Sequence, residues 1–111
     1  MKESDFQKAL TARLKKVGAL VFNVHGHGFQ EAGWPDLQVY HWVWTGHLEL
    51  KVNHKVSTLQ RIKIRELKKR GASAFVLRCD GSNVFVENNS KQWPMDGIEI
   101  LEWLRHLKNL L

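Results

Sequence analysis

A single cysteine, Cys79, leaves the chain of 111 residues without a partner for an intrachain disulfide. Long hydrophobic runs are missing too: no apolar stretch approaches the roughly 20 residues that span a bilayer. The start, Met1-Lys2-Glu3-Ser4-Asp5, is polar and lacks the apolar centre of a signal peptide. These absences predict a soluble, intracellular, cytoplasmic protein with no membrane partner. No internal repeat, low-complexity stretch or linker divides the sequence, so residues 1–111 are expected to form one domain. A hydrophobic content of 43% argues against disorder. Acidic residues are in the minority. Eleven Asp and Glu stand against 17 Lys and Arg, a net charge of +6 that favours a polyanionic partner, because each phosphate neutralised releases a counterion.

What is present is an alternation of helical and strand patterns. Phe6, Leu10, Leu14 and Val17 recur at helical spacing, Ser4 is the candidate cap, and Gly18 stands where a helix ends. Ala19–Val24 reads as a strand and His25–Gly33, with three glycines, as a loop. Pro35 opens a strand over Asp36–Trp44. There Leu37, Val39, His41 and Val43 share one face, and Gln38, Tyr40, Trp42 and Trp44 the other. Thr45-Gly46 is a tight turn into a returning strand, His47–Val52. Ser57-Thr58-Leu59-Gln60 has the form of a capping box and opens a helix to about Arg70, closed by Gly71. Strands Ala74–Cys79 and Asn83–Glu87 flank an Asp80-Gly81 turn, and Asp96 caps a last helix carrying Ile98, Leu101, Leu104, Leu107 and Leu111. The order α-β-β-β-α-β-β-α predicts an α/β or α+β domain with a mixed central sheet flanked by helices.

The chemistry concentrates between Gly33 and Lys51. Residues two apart on a strand share a face, so Glu49 and Lys51 point one way while Leu48, Leu50 and Val52 point into a core. Neighbouring strands lie about 4.8 Å apart, so a paired register brings Asp36 beside Glu49. Two converging carboxylates are costly unless a cation sits between them. Mg²⁺, hard and commonly held by one or two carboxylates with waters and substrate phosphate, suits such a pair, and Mn²⁺ should substitute. Lys51 would then orient or deprotonate an attacking water, or stabilise charge on the phosphoryl oxygens. Nothing in the set calls for an organic cofactor.

Gly33-Trp34-Pro35-Asp36 followed by Glu49-Leu50-Lys51 resembles the PD-(D/E)XK nuclease signature. With Ser57-x-x-Gln60 and Gly71 in the same order, it resembles more narrowly the virus-type replication-repair nuclease (VRR-NUC) branch. The likeness covers roughly residues 3–78, with a further strand and helix at 83–111. It implies a restriction-endonuclease-like core and metal-dependent hydrolysis of DNA. Asp36, Glu49 and the Leu50 backbone carbonyl would be metal ligands, and Lys51 would match the catalytic lysine. Glu3 would match an acid that members carry on the first helix. The resemblance also implies a structure-specific, Holliday-junction resolvase-like endonuclease of replication, recombination or repair, phage-encoded and acting as a homodimer.

Other positions keep two readings open. Gln60, with Ile64 and Leu67 on one helix face, either completes the capping box with Ser57 or serves the active site through Lys51, water or phosphate, and the two are compatible. Arg61, Arg65, Lys68 and Lys69 on the opposite face, with Lys55 before the helix, either contact DNA or are simply solvated. His25 and His27, between glycines, lie on a DNA-approaching loop or on an ordinary one. Glu31 adds a carboxylate near Asp36 or is a solvated loop acid. Trp42 and Trp44 are expected in the core, with a dimer interface as the rival, and the last helix with Trp103 is a second candidate interface. Two alternatives to a DNA nuclease remain: a basic nucleic-acid-binding module that does not cut, and a nuclease directed at RNA.

Overall fold

The computed structural model describes residues 1–27 and 31–110, the side chains of 26 and 27 excepted. In chain order the elements are α1 (Glu3–Lys16), β1 (Leu20–Asn23), a 3-10 turn at Val24–His27, β2 (Leu37–Tyr40), β3 (Gly46–Val52) and α2 (Thr58–Lys69). They continue with β4 (Ala74–Asp80), β5 (Asn83–Val86), β6 (Asn89–Gln92) and α3 (Gly97–Leu110). The six strands form one sheet in sequence order, antiparallel throughout except where β3 runs parallel to β4. A parallel pair needs a crossover, and α2 supplies it. The expected mixed sheet and α+β class hold, with one strand more than predicted.

Local chemistry sets the ends of the helices. Gly18 and Gly71 both adopt positive φ (94° and 89°) after α1 and α2. Each closes its helix with paired backbone bonds: Gly18 N–H to Lys15 O and Ala19 N–H to Leu14 O, and Gly71 N–H to Lys68 O and Ala72 N–H to Leu67 O. At its start α1 differs from expectation. Lys2, not Ser4, is the cap residue, so Glu3 lies inside the first turn. Asp96 caps α3 as expected, accepting the Glu99 N–H at 2.9 Å.

One face of the sheet carries the core. Leu37, Val39, Leu48, Leu50 and Val52 pack with Phe6, Leu10 and Leu14 of α1 and with Ile100, Leu101, Trp103, Leu104 and Leu107 of α3. Trp103, Leu101, Leu104 and Leu107 are therefore buried in the interior, while Ile98 and Leu110 stay exposed. The other face is thinly covered, because α2 buries only Ile64. That asymmetry leaves the face carrying Glu49 and Lys51 covered mainly by α2, with both side chains still largely buried.

Strand β2 stops four residues short of the predicted end. His41 and Thr45 close the chain on itself instead: the His41 N–H donates to Thr45 Oγ1, whose hydroxyl donates back to His41 O, both at 3.1 Å. This bend, rather than a Thr45-Gly46 turn, connects β2 to β3. It also parts the two tryptophans expected to be neighbours on one face. Trp44 turns inward, donating Nε1–H to Ser73 Oγ at 2.9 Å, while Trp42 turns out to solvent. No helix among the described residues is long and apolar enough to cross a membrane.

Candidate active site

Strand pairing brings the two acids together. Leu37 pairs with Leu48 in the antiparallel β2–β3 register, and the same register sets Asp36 opposite Glu49. Asp36 Oδ2 accepts the Leu50 N–H at 2.8 Å, which pins the carboxylate to β3. On its other side, Asp36 Oδ1 lies 3.5 Å from His25 Nε2, a nitrogen that also donates to Trp34 O at 3.1 Å.

Glu49 is 1% exposed, and each of its oxygens has a different environment. Oε2 faces Lys51 Nζ at 3.4 Å and accepts from Gln60 Nε2 at 3.0 Å. Oε1 is buried with no hydrogen-bond partner. Burial, and secondarily the Asp36 carboxylate, push the Glu49 pKa up to about 8, with Lys51 pulling the other way. An orphaned, buried carboxylate oxygen beside a second acid fits a hard divalent cation, which would lift the desolvation cost and the repulsion together. Among the described residues no three His, Cys, Asp or Glu side chains form a metal cluster, so a cation here would complete its shell with backbone, water or phosphate oxygens.

Gln60 completes the capping box and also bonds an acid of the candidate site, though its partner is Glu49 and not the expected Lys51, water or phosphate. Its Oε1 accepts the Ser57 N–H at 2.9 Å while Ser57 Oγ accepts the Gln60 N–H at 3.1 Å, so the capping box is complete. Because Oε1 is committed to that donor, Nε2 must face Glu49. The cap of α2 and the orientation of Glu49 are thus one hydrogen-bonded unit.

Glu3 reaches the same strand from α1, its Oε1 accepting the Val52 N–H at 3.3 Å. Glu31 is an exposed loop acid, as one of its two readings expected, but it is not without partners. It accepts from Trp34 Nε1 at 2.9 Å and pairs with Lys63 Nζ at 3.3 Å, while Lys63 sits 4.9 Å over the Trp34 ring. This latch, which the sequence reading missed, ties the segment carrying Asp36 to α2. Its partners lie 32 residues apart, beyond any local pattern. Gly33 completes it: φ is 88°, and a Cβ there would sit 2.8 Å from Leu59 O. Gly33→Ala should therefore lower stability by about 1–3 kcal/mol and weaken metal binding by loosening Asp36. Thermal unfolding and metal titration of the variant check this, and an unchanged melting temperature would contradict it.

The cationic residues separate. Arg61, Arg65 and Lys68 line a cleft of about 510 Å³ between α2 and strands β4 and β5, joined by Arg78, which no sequence pattern marked. Arg78 is held by donating Nη1–H to His54 O at 3.0 Å. Lys69 turns to Glu66 at 3.8 Å, and Lys55 is exposed on the loop before α2. The side chain of His27 lies outside the described residues.

A paired Asp36 and Glu49 with Lys51 on a β3–α2–β4 crossover define a PD-(D/E)XK nuclease with the restriction-endonuclease-like fold. Among solved structures, a VRR_NUC domain matches at 31% identity and a TM-score of 0.56, over 67% of this chain and 81% of that one. The chain belongs to the VRR-NUC family. The structure of Archaeoglobus fulgidus Hjc, a Holliday junction resolvase from an archaeal hyperthermophile, shares the fold. It matches at 19% identity and a TM-score of 0.53, over 75% of this chain and 74% of that one. The sequence alone matches no family model and no curated protein.

Proposed function

We propose that this domain is a divalent-metal-dependent DNA endonuclease that acts on branched DNA as a homodimer. The observation that carries the reading is the Glu49 carboxylate, buried and raised in pKa with one orphaned oxygen, set opposite Asp36. Asp36, Glu49 and the Leu50 carbonyl would hold Mg²⁺, with Mn²⁺ substituting, and Glu3 stands close enough to β3 to add a carboxylate through water. When bound, the metal supplies Lewis-acid polarisation of the scissile phosphate and a lowered pKa for the attacking water. Lys51, tethered to Glu49, stabilises the negative charge that develops on the phosphoryl oxygens. Gln60 positions Glu49 and so acts through it.

The cleft residues Arg61, Arg65 and Lys68, with Lys55, Lys69, His25 and His27, are the proposed phosphate contacts around this centre. Such contacts carry no base sequence, so recognition would rest on DNA shape, as the likeness to a junction resolvase also suggests. A module that only bound nucleic acid would gain nothing from two acids aimed at a phosphate, because they repel it. A homodimer would place two such centres on one DNA, suited to paired incisions.

The test is cleavage of labelled four-way junction, flap, linear duplex and single-stranded DNA in Mg²⁺, Mn²⁺ or EDTA. Cutting is expected with either metal, most strongly on branched DNA, and none in EDTA. Binding to every substrate without cleavage of any would overturn the catalytic reading. Cleavage of RNA alone would move the activity to RNA.

A further inference from the structure

The outer end of the β1–β2 ladder carries an apolar surface that the nuclease site does not use. Leu20 and Tyr40 are cross-strand partners, and the bend after Tyr40 sets Trp42 beside them. Trp42 is 89% exposed, Leu20 72% and Tyr40 49%. With aromatic side chains presenting about 150–250 Å² each, these three expose on the order of 400 Å². That is about half of the roughly 800 Å² each partner buries in a standard interface, enough for its apolar centre.

Trp42 packs against a ring that is itself held: the Val43 N–H donates to His41 Nδ1 at 3.0 Å, so the ring proton sits on Nε2 and donates to Val17 O at 3.0 Å. The His41 ring, held at both nitrogens, meets the Trp42 ring edge-on at 5.1 Å and 74°. Gly18 lies beneath the indole, where a Cβ would be in ordinary van der Waals contact at 3.4 Å. A tryptophan with few rotatable bonds loses little freedom on docking, and tryptophan is among the side chains most enriched at the centre of binding energy.

Beside this knob lies its hole. A groove of about 470 Å³ is lined by Gly18, Leu20, Tyr40, His41, Trp42 and Thr45, none of them Lys, Arg, Asp or Glu. A projecting ring and an apolar groove on one patch make a self-complementary surface, which a two-fold pair requires. The uncharged patch lets two chains of net charge +6 meet without setting like charges face to face. The two edges of the sheet point the same way. Strand β6, at one edge, is Asn-Ser-Lys-Gln, whereas β1, at the other, is Leu-Val-Phe-Asn without the charge or proline that commonly blunts an edge.

We propose that the occupant of this surface is a second copy of the chain, Trp42 of each entering the groove of the other. The inference rests on the homodimer reading above and names the face that reading needs. Asp36 lies at the opposite end of β2, about 13 Å of strand away, so pairing here leaves the catalytic acids open to DNA.

Sedimentation velocity of the full chain without DNA or metal tests it, comparing wild type with Trp42→Arg and Leu20→Lys. Both sites are solvent-exposed, so both variants should keep the wild-type circular dichroism. The wild type is expected to be a dimer at micromolar concentration, and each variant is expected to raise its dissociation constant by at least about thirtyfold. A wild-type dimer that both substitutions leave intact overturns this face and keeps the homodimer. A wild-type monomer overturns both. Because neither DNA nor metal is present, the result is independent of whether the protein cuts.

Discussion

Asp36→Asn is expected to reduce metal-dependent cleavage by about 10²–10⁴-fold while leaving the fold and DNA binding intact. The magnitude follows from removing one of two carboxylates around a cation that contributes several kcal/mol to the transition state, at about 1.4 kcal/mol per tenfold in rate. The fold should survive because Asn retains an oxygen to accept the Leu50 N–H, the 2.8 Å bond that pins this position to β3. DNA binding in EDTA should hold or tighten, since a negative charge facing the phosphate has gone. Loss of cutting with binding held or tightened is a signature that general damage would not produce. Lys51→Met should cost about 10²–10³-fold, as for other single groups that stabilise developing charge. Single-turnover cleavage of a labelled duplex or junction, with thermal unfolding as the control, measures both. Wild-type rates from either variant would remove that residue from the chemistry.

The reason these residues could be found without coordinates is that their placement is local. Strand alternation puts Glu49 and Lys51 on one face, and a short connection between β2 and β3 limits the registers that can set Asp36 opposite Glu49. The ends of α1 and α2 were legible for the same reason, because glycine tolerates the positive φ that closes them. What escaped the sequence depends on contacts made at a distance or against the pattern. The apolar alternation from Leu37 to Trp44 reads as one strand, and only the His41–Thr45 bonds show why it ends at Tyr40. Strand β6 has no apolar face to betray it, because its residues are Asn, Ser, Lys and Gln. The turn before it uses Glu87 at φ 52°, a residue that reads more readily as the end of a strand. The Glu31–Trp34–Lys63 latch and the reach of Glu3 to Val52 cross 32 and 49 residues. Arg78 joined the cleft through parallel β3–β4 pairing, which required knowing the crossover.

Metal affinity is expected to climb steeply with pH and to level off near the Glu49 pKa. With that carboxyl pushed up to about 8 by burial and by Asp36, the metal-free protein holds a proton on Glu49 across most of the neutral range. A cation must displace that proton, so the apparent affinity should rise about tenfold per pH unit well below the pKa, and about 50-fold in all between roughly pH 6 and 8. The stability of the metal-free protein should move the other way. The Glu49 pKa is raised above its ordinary value of 4.5, so the folded state holds the proton more tightly than the unfolded chain. The resulting stabilisation is fully present below about pH 4.5 and drains away as pH rises through about 8. Calorimetric titration with Mn²⁺ across this range, and melting curves in EDTA, read the two trends separately. Glu49→Gln should flatten both, because its amide still accepts from Gln60 but carries no proton to exchange. Metal affinity that stays level between about pH 6 and 8 would mean Glu49 is already ionised before the cation arrives. The burial of its orphaned oxygen would then need another explanation, such as a solvent molecule bridging it to Asp36. If instead affinity climbs while metal-free stability falls, one carboxyl links fold to function: the protein gives up stability as pH rises to keep a cation site whose buried carboxyl holds a proton until the cation displaces it.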